Sequence, residues 1–130
     1  MTSLTNLDEL KQHVTLLASV EETDAPFISC YLNIENRQSG WRDALDERAS
    51  ILRGMLKGNT LADFEETLRK IEAWLADSLQ PKAKGVAIFA RSIFGGSFLL
   101  PMQFATPLIH SLTISSAPNI DYLVKLKENY

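Results

Sequence analysis

Apolar residues recur at the spacing of one helix face in three stretches of the chain. The first stripe predicts a helix over about residues 6 to 19 and consists of Leu7, Leu10, Val14 and Leu17. The second begins a predicted helix at Trp41 and continues through Leu45, Ala49, Leu52 and Leu56. The third is the clearest periodicity of the chain and consists of Phe64, Leu68, Ile71, Leu75 and Leu79. Gly58-Asn59 separates the last two stripes, so we expect two successive helices with a break at these residues.

Two polar residues that precede these stripes are predicted to cap helices. Thr5, with Asp8 three positions later, resembles a capping box at the start of the first helix. Thr60, with Asp63 three positions later, predicts the start of the third helix in the same way. The outer face of the third helix is predicted to carry two ion pairs, each worth a few tenths of a kcal/mol, Glu65 with Arg69 and Glu66 with Lys70.

Short runs rich in β-branched and aromatic residues predict the strands. Residues 27–34 are such a run and are too few for a helix, and residues 85–90 predict a central strand. Gly95-Gly96 is expected to supply the positive φ of a tight hairpin, from which residues 97–103 return as the partner strand. Because Pro101 has no N–H, this return strand is expected at a sheet edge or at a bulge.

The rest of the chain predicts a fourth strand over residues 108–115 and a last helix that starts at Pro118-Asn119. The element order α-β-α-α-β-β-β-α predicts an α+β fold, with helices packed on a small, mostly antiparallel four-stranded sheet. No internal repeat divides the sequence, so residues 1–130 are expected to form a single domain. Because the chain stops at Tyr130 inside a helical pattern, we expect this domain to belong to a longer multidomain protein.

Composition and charge narrow the classes of function. The chain has 130 residues, 45% of them hydrophobic, which is enough for one well-formed core. The single cysteine, Cys30, has no internal partner for a disulfide, and no leader or membrane-spanning run is visible, so we expect a cytoplasmic location without membrane contact. The net charge of −3 provides no general attraction for nucleic acid, so any RNA contact has to be local.

The sequence contains no complete catalytic or metal-binding motif. A Gly-x-Ser-x-Gly elbow, a phosphate-binding glycine loop and a Cys-x-x-Cys pair are all absent. The two histidines, His13 and His110, are far apart in the chain and stand in no recognisable motif. We therefore expect a protein that is not an enzyme and holds no cofactor or metal, unless distant residues assemble a pocket around these histidines.

Three exposed segments are candidate contact surfaces. In the segment from Arg37 to Arg42, two guanidinium groups and the indole of Trp41 can stack on a base or hold a phosphate. Packing of Trp41 in the core is the alternative that we favour for that ring. The break between the second and third helices allows a backbone to approach a ligand closely, and it consists of Lys57, Gly58, Asn59 and Thr60. A plain interhelical turn is the alternative that we favour for this segment.

The third candidate is Phe94, which precedes the glycines of the predicted hairpin. An exposed aromatic ring at a hairpin tip suits a partner protein. The alternative is a ring that folds back onto the sheet.

The succession of Ser29-Cys30-Tyr31-Leu32, two helices and then residues 85–90 resembles the N-terminal domain of the archaeal and eukaryotic class-one peptide-chain release factors. More narrowly, it is similar to their bacterial relatives. The resemblance extends from about Leu7 to Tyr130 and rests on strand patterns rather than on an invariant signature. It implies an association with the ribosome or with RNA.

The motifs with which that family reads stop codons are absent. The family's Asn-Ile-Lys-Ser loop corresponds to Lys57-Gly58-Asn59-Thr60, and its Tyr-x-Cys-x-x-x-Phe pattern corresponds to residues 112–118. The Gly-Gly-Gln of peptide release belongs to a separate domain of the family, and Gly95-Gly96-Ser97 does not match it. The resemblance therefore implies the scaffold without codon reading or peptidyl-tRNA hydrolysis.

These observations lead to two hypotheses. The first is a non-catalytic recognition domain of a release-factor-like protein, which contacts the ribosome, tRNA or another RNA and is followed by further domains. The second is a protein interaction or self-association module, in which apolar strand edges and Phe94 meet another chain, for example in a homodimer.

Overall fold

The computed structural model describes residues 4–21, 26–35, 40–93, 96–128 and 130. Within these ranges the chain forms four helices and four strands, in the order predicted from the sequence. The elements are α1 (Leu7–Ala18), β1 (Phe27–Asn33), α2 (Trp41–Met55), α3 (Gly58–Ser78), β2 (Gly85–Ile93), β3 (Gly96–Phe104), β4 (Ser111–Ser115) and α4 (Asp121–Glu128). None of the helices in the described ranges has the length and apolar character needed to cross a bilayer.

The four strands form one antiparallel sheet in the order β3-β2-β1-β4. The central strand β1 pairs with β2 on one side and with β4 on the other, so that Tyr31 lies between Ala87 and Ser111. The outermost strands are β3 and β4. The edge position of β3 confirms the expectation drawn from Pro101, which pairs with Ile88 there. The predicted α+β fold is therefore correct.

Helices α2 and α3 cover one face of the sheet. On this face Ile28, Cys30 and Leu32 of β1 pack against the apolar stripes of both helices, with Trp41 and Phe64 among the buried residues. The alternation of side chains along an extended strand places these three β1 residues on the same face. The apolar stripes of both helices are thus buried in one cluster on this face. Helix α2 packs on β4 and β1, and helix α3 packs on β2 and β1.

Helices α1 and α4 cover the other face. The alternate residues of β1, Phe27 and Tyr31, join Phe89 of β2 in a second apolar cluster with Leu10 of α1 and Leu123 of α4. Both faces of β1 are therefore buried, which explains why apolar residues occur on both alternating sets of positions along the strand.

The predicted cap of the first helix is wrong. The N-cap residue is Asn6, whose Oδ1 accepts a hydrogen bond from the Glu9 main-chain N–H at 2.9 Å. Thr5 is buried instead, and its main-chain N–H donates to the Gln103 carbonyl of β3 at 2.7 Å. This contact draws the chain onto the sheet two residues before the helix begins, so the cap falls on the next residue, Asn6.

The fourth strand is shorter than predicted, since it begins at Ser111 rather than at residue 108. Leu108 is buried in the cluster under α1 and α4 and does not extend the ladder. The segment before it crosses close to Gly85, where a Cβ would lie 2.7 Å from Leu108 Cγ. Glycine at the start of β2 therefore permits a contact that no other residue permits without a shift of the chain.

Candidate functional site

The bend between α2 and α3, which we define as residues 57–60, is exposed at every position. Gly58 has φ of +60°, and a Cβ there would meet nothing within 4 Å, so its backbone faces open space. The structure thus leaves the bend accessible to a partner, as the sequence analysis requires of this candidate surface.

The start of α3 differs from the prediction in a way that matters for this surface. The helix begins at Gly58 with Lys57 as its N-cap, so Thr60 lies inside the first turn and does not cap it. The N-cap side chain makes no capping hydrogen bond, and the first turn contains no acidic residue. The first N–H groups of a helix have no intrahelical partner and carry its partial positive charge. This end of α3 is therefore electropositive and uncapped.

The ion pairs near the bend also differ in part from the prediction. Glu65 pairs with Arg53 of α2, with Arg53 Nε 2.7 Å from Glu65 Oε1, and not with Arg69. The pair of Glu66 with Lys70 is present at 3.8 Å. Among the described residues Lys57 has no ion-pair partner, so its charge adds to that of the helix terminus.

The second candidate surface is only partly described, because Arg37 lies outside the described residues. Trp41 packs in the core with a 5% exposed side chain, and the Arg42 guanidinium lies over its ring at 4.6 Å. The ring is thus packed in the core, as in the alternative that the sequence analysis favours for Trp41. Arg42 is exposed, and it lines a pocket of about 100 Å³ together with the acidic residues Asp46 and Glu72.

The two basic segments do not form one continuous site. Arg42 is at the N-terminal end of α2, whereas Lys57 follows its C-terminal end. A helix of 15 residues is about 20 Å long, and this length separates the two segments. Each of them is therefore a separate contact point. The third candidate, Phe94, lies outside the described residues, next to a strand pairing that closes between Ile93 and Gly96.

A larger hollow, of about 540 Å³, lies on the α4 side of the sheet beside β4. At its base the ring of Tyr31 stacks on that of Tyr122 at 5.0 Å, and the Tyr31 hydroxyl donates to the Asn119 carbonyl at 2.6 Å. Burial, with the nearby Asp121 carboxylate as a smaller cause, raises the pKa of Tyr31, so the hydroxyl stays protonated and keeps donating. The hollow is lined by Tyr31, Ile109, Ser111, Asn119, Asp121, Tyr122 and Lys125.

Sequence reasoning did not identify this hollow. Its lining comes from β1, from the start of β4 and from the region of α4, and residues in contact across it are almost 90 positions apart, as with Tyr31 and Asn119. No local spacing links such residues, so only the fold brings them together. The hydroxyls of both tyrosines take part in structural hydrogen bonds, since the Tyr122 hydroxyl accepts from the Ile109 N–H at 3.0 Å.

The histidines and the cysteine do not assemble with one another. His13 is on α1, whereas His110 lies at the start of β4, where its Nδ1 accepts a hydrogen bond from the Asn33 N–H at 3.2 Å. Burial raises the pKa of the Cys30 thiol to about 12, so it stays protonated. Within the described part of the chain, no group of three or more His, Cys, Asp or Glu residues is placed to hold a metal ion.

Comparison with known proteins adds a likeness of fold. No family model matches the chain, and no curated protein matches it. A solved structure described as "Archaeal protein" is similar to this chain with a TM-score of 0.73 and 14% sequence identity. The match covers 98% of this chain and 37% of that chain, so this chain spans little more than a third of that protein's length. At this identity the likeness shows the fold alone.

Proposed function

We propose that the chain is a non-catalytic recognition domain of a release-factor-like protein, and that it binds RNA, on the ribosome or in tRNA, through the α2–α3 bend. The observation that carries this proposal is the exposed, uncapped start of α3 beside Lys57, which has no ion-pair partner in the described part of the chain. The resemblance of the strand and helix order to release factors motivates the choice of RNA as the partner. The bend is also the position that corresponds to the family's stop-codon loop.

The chemistry of the bend suits a phosphate group. An uncapped helix N-terminus presents main-chain N–H groups and a partial positive charge, and anions bind well there. Lys57 adds a full charge on a flexible stem, and Gly58 has no side chain that would hold a ligand away from the backbone. Contacts of this kind position a nucleic acid without reading its sequence, which agrees with the absence of the family's codon-reading motifs.

Binding measured as a function of salt tests the proposal. The chain is titrated with ribosomes and with tRNA by filter binding, and Lys57→Glu is compared with Lys11→Glu. Lys11 is the matched control because it is an exposed lysine on α1, which covers the opposite face of the sheet. We expect Lys57→Glu to weaken binding and to reduce the slope of log affinity against log salt by about 1, whereas Lys11→Glu leaves both unchanged.

Two results would count against this function. One is the absence of binding to ribosomes and tRNA even at low salt, and the other is an equal effect of the Lys57 and Lys11 substitutions. The second of these would indicate that only the net charge of the chain matters.

A second candidate function, protein interaction or self-association, is favoured by a different observation. Ile51 and Met55 of α2 are 60% and 72% exposed and lie four residues apart, so they form one apolar strip on the helix surface. Exposed apolar strips of this kind are typical of protein contacts rather than of phosphate contacts. Measurement of the oligomeric state across a concentration series separates this candidate from RNA recognition.

A further inference from the structure

The two outer strands of the sheet differ in how they are protected against pairing with another chain. On β3, Pro101 removes a main-chain donor, and the Thr5 N–H occupies the Gln103 carbonyl. Strand β4 contains no proline and no charged residue, and among the described residues no main-chain group pairs with its outer side. Natural proteins usually block exposed sheet edges with charges, prolines or bulges, so an unprotected edge is expected to have a partner.

The sequence of β4 is complementary to itself. It reads Ser-Leu-Thr-Ile-Ser, so it has the same pattern of residue types in both directions around Thr113. If two copies pair antiparallel with Thr113 at the centre, Leu112 of each copy lies opposite Ile114 of the other. Both of these residues belong to the face covered by α2 and α3, so the apolar face continues across the junction. An isologous dimer interface requires this self-complementarity.

Charge also favours a second copy of this chain over a different partner. A two-fold axis brings like residues together, so charged residues near the axis would repel one another. Residues 105–120 contain no Asp, Glu, Lys or Arg. The edge therefore offers no group for a strongly charged peptide and no repulsion to an identical strand.

The apolar strip of α2 is on the side that overlooks this edge. Arg53 lies on the flank of α2 that faces α3, because it pairs with Glu65 of α3. Ile51 and Met55 are each two residues from Arg53, which rotates them by about 200° around the helix, so they point away from α3. Because α2 packs over the outermost strand β4, this outer side of the helix adjoins the open edge.

We propose that β4 pairs with β4 of a second copy of this chain, antiparallel about Thr113, to form a continuous eight-stranded sheet on which the two α2 helices meet through Ile51 and Met55. A pairing of two five-residue strands is small beside the roughly 1,200–2,000 Å² that stable complexes bury. The two exposed side chains of α2 in each protomer supply the additional apolar area. The bend proposed to bind RNA makes no contact in this pairing, so the failure of one proposal leaves the other standing.

Sedimentation equilibrium across a concentration series tests the interface. We expect the unchanged chain to dimerise and the double variant Ile51→Glu/Met55→Glu to dimerise at least tenfold more weakly, because it brings four carboxylates to the junction. Leu99→Glu is the matched control, since Leu99 is a partly exposed apolar residue on the opposite edge strand, β3. The control is expected to dimerise as the unchanged chain does. Circular dichroism verifies that each variant is folded.

A cysteine at the proposed axis tests the register independently of α2. In Thr113→Cys the two new thiols lie opposite each other, so mild oxidation is expected to yield a disulfide-linked dimer. Cys30 is fully buried and does not compete, and Ser97→Cys on β3 serves as the control that stays monomeric in a denaturing gel. A chain that is monomeric at all concentrations overturns the proposal. So does a dimer that Leu99→Glu weakens and the α2 variant does not, or one in which Ser97→Cys cross-links and Thr113→Cys does not.

Discussion

The uncapped start of α3 makes Asn59→Asp an informative substitution, because its effects on folding and on RNA binding have opposite signs. Asn59 is exposed in the first turn of the helix, and the side chains of Asn and Asp have the same size. The substitution therefore adds a negative charge at the positive end of the helix dipole and changes little else. We expect the fold to become more stable and RNA binding to become weaker.

The size of the gain follows from the exposure of the site. A carboxylate in the first turn of a helix stabilises it by about 0.3–1 kcal/mol, and solvent around Asn59 favours the lower half of that range. The first turn contains no other acidic residue, but the Asp63 carboxylate lies four residues later on the same helix face and reduces the gain by about 0.2–0.5 kcal/mol. For a chain of this length, the melting temperature is expected to rise by no more than about 2 °C.

The loss of binding has a comparable energy. Two charges 4 Å apart interact by about 1 kcal/mol in water, so a carboxylate beside one bound phosphate weakens binding about fivefold at low salt. Thermal unfolding and filter binding on the same preparation measure both effects. Gln12→Glu on α1 is the control, since it adds the same charge at an exposed mid-helix position on the other face of the sheet. A stabilised Asn59→Asp protein that binds tRNA as before would refute the role of the bend, and a destabilised one would refute the uncapped helix start.

Three further predictions concern the scaffold. Gly85→Ala is expected to destabilise the fold by about 1–3 kcal/mol in urea unfolding, because the new methyl group overlaps Leu108, and an unchanged midpoint would contradict the close approach. Tyr31→Phe is expected to cost about 1–2 kcal/mol, because the Asn119 carbonyl loses its donor, and a neutral effect would show that water replaces the hydroxyl. The pKa of His110 is lowered, first by burial and then by the nearby Arg48, so the unfolded chain binds a proton at a higher pH than the folded chain. Stability is therefore expected to be full above the ordinary histidine pKa of 6.5 and to fall as the pH drops toward the folded-state pKa. Proton NMR that places the His110 midpoint at or above 6.5 would contradict this.

The paired helices were predictable because their signal is local. The third stripe gave Phe64, Leu68, Ile71 and Leu75 as core residues from spacing alone, and all four are buried. An amphipathic helix packs its one apolar side against the core, so the spacing of apolar residues in the sequence identifies the residues that are buried. The position of β3 at an edge was predictable for a similar reason, since a single proline restricts where its strand can pair.

The helix starts were harder to predict because they depend on contacts from outside the helix. Thr5 is a residue type that commonly caps helices, yet its N–H donates a hydrogen bond to β3 and the N-cap is Asn6. Thr60 is also a common N-cap residue type, yet α3 begins two residues before it, at Gly58. Glu65 likewise leaves its predicted partner within the helix for Arg53 on the neighbouring helix. At Thr5 and at Glu65 a tertiary contact outweighs a local preference worth about 1 kcal/mol or less.

The C-terminal end of α2 connects the two proposed surfaces. Met55 ends α2 at the proposed dimer junction, and Lys57 begins the bend only two residues later. Dimerisation through Met55 would therefore place two bends near one interface, and an RNA that contacts both would bind the dimer more tightly than the monomer. Because such coupling is reciprocal, that RNA would also strengthen the dimer. An RNA that leaves the dimer dissociation constant unchanged would show that the two surfaces act independently, even though they share one end of α2.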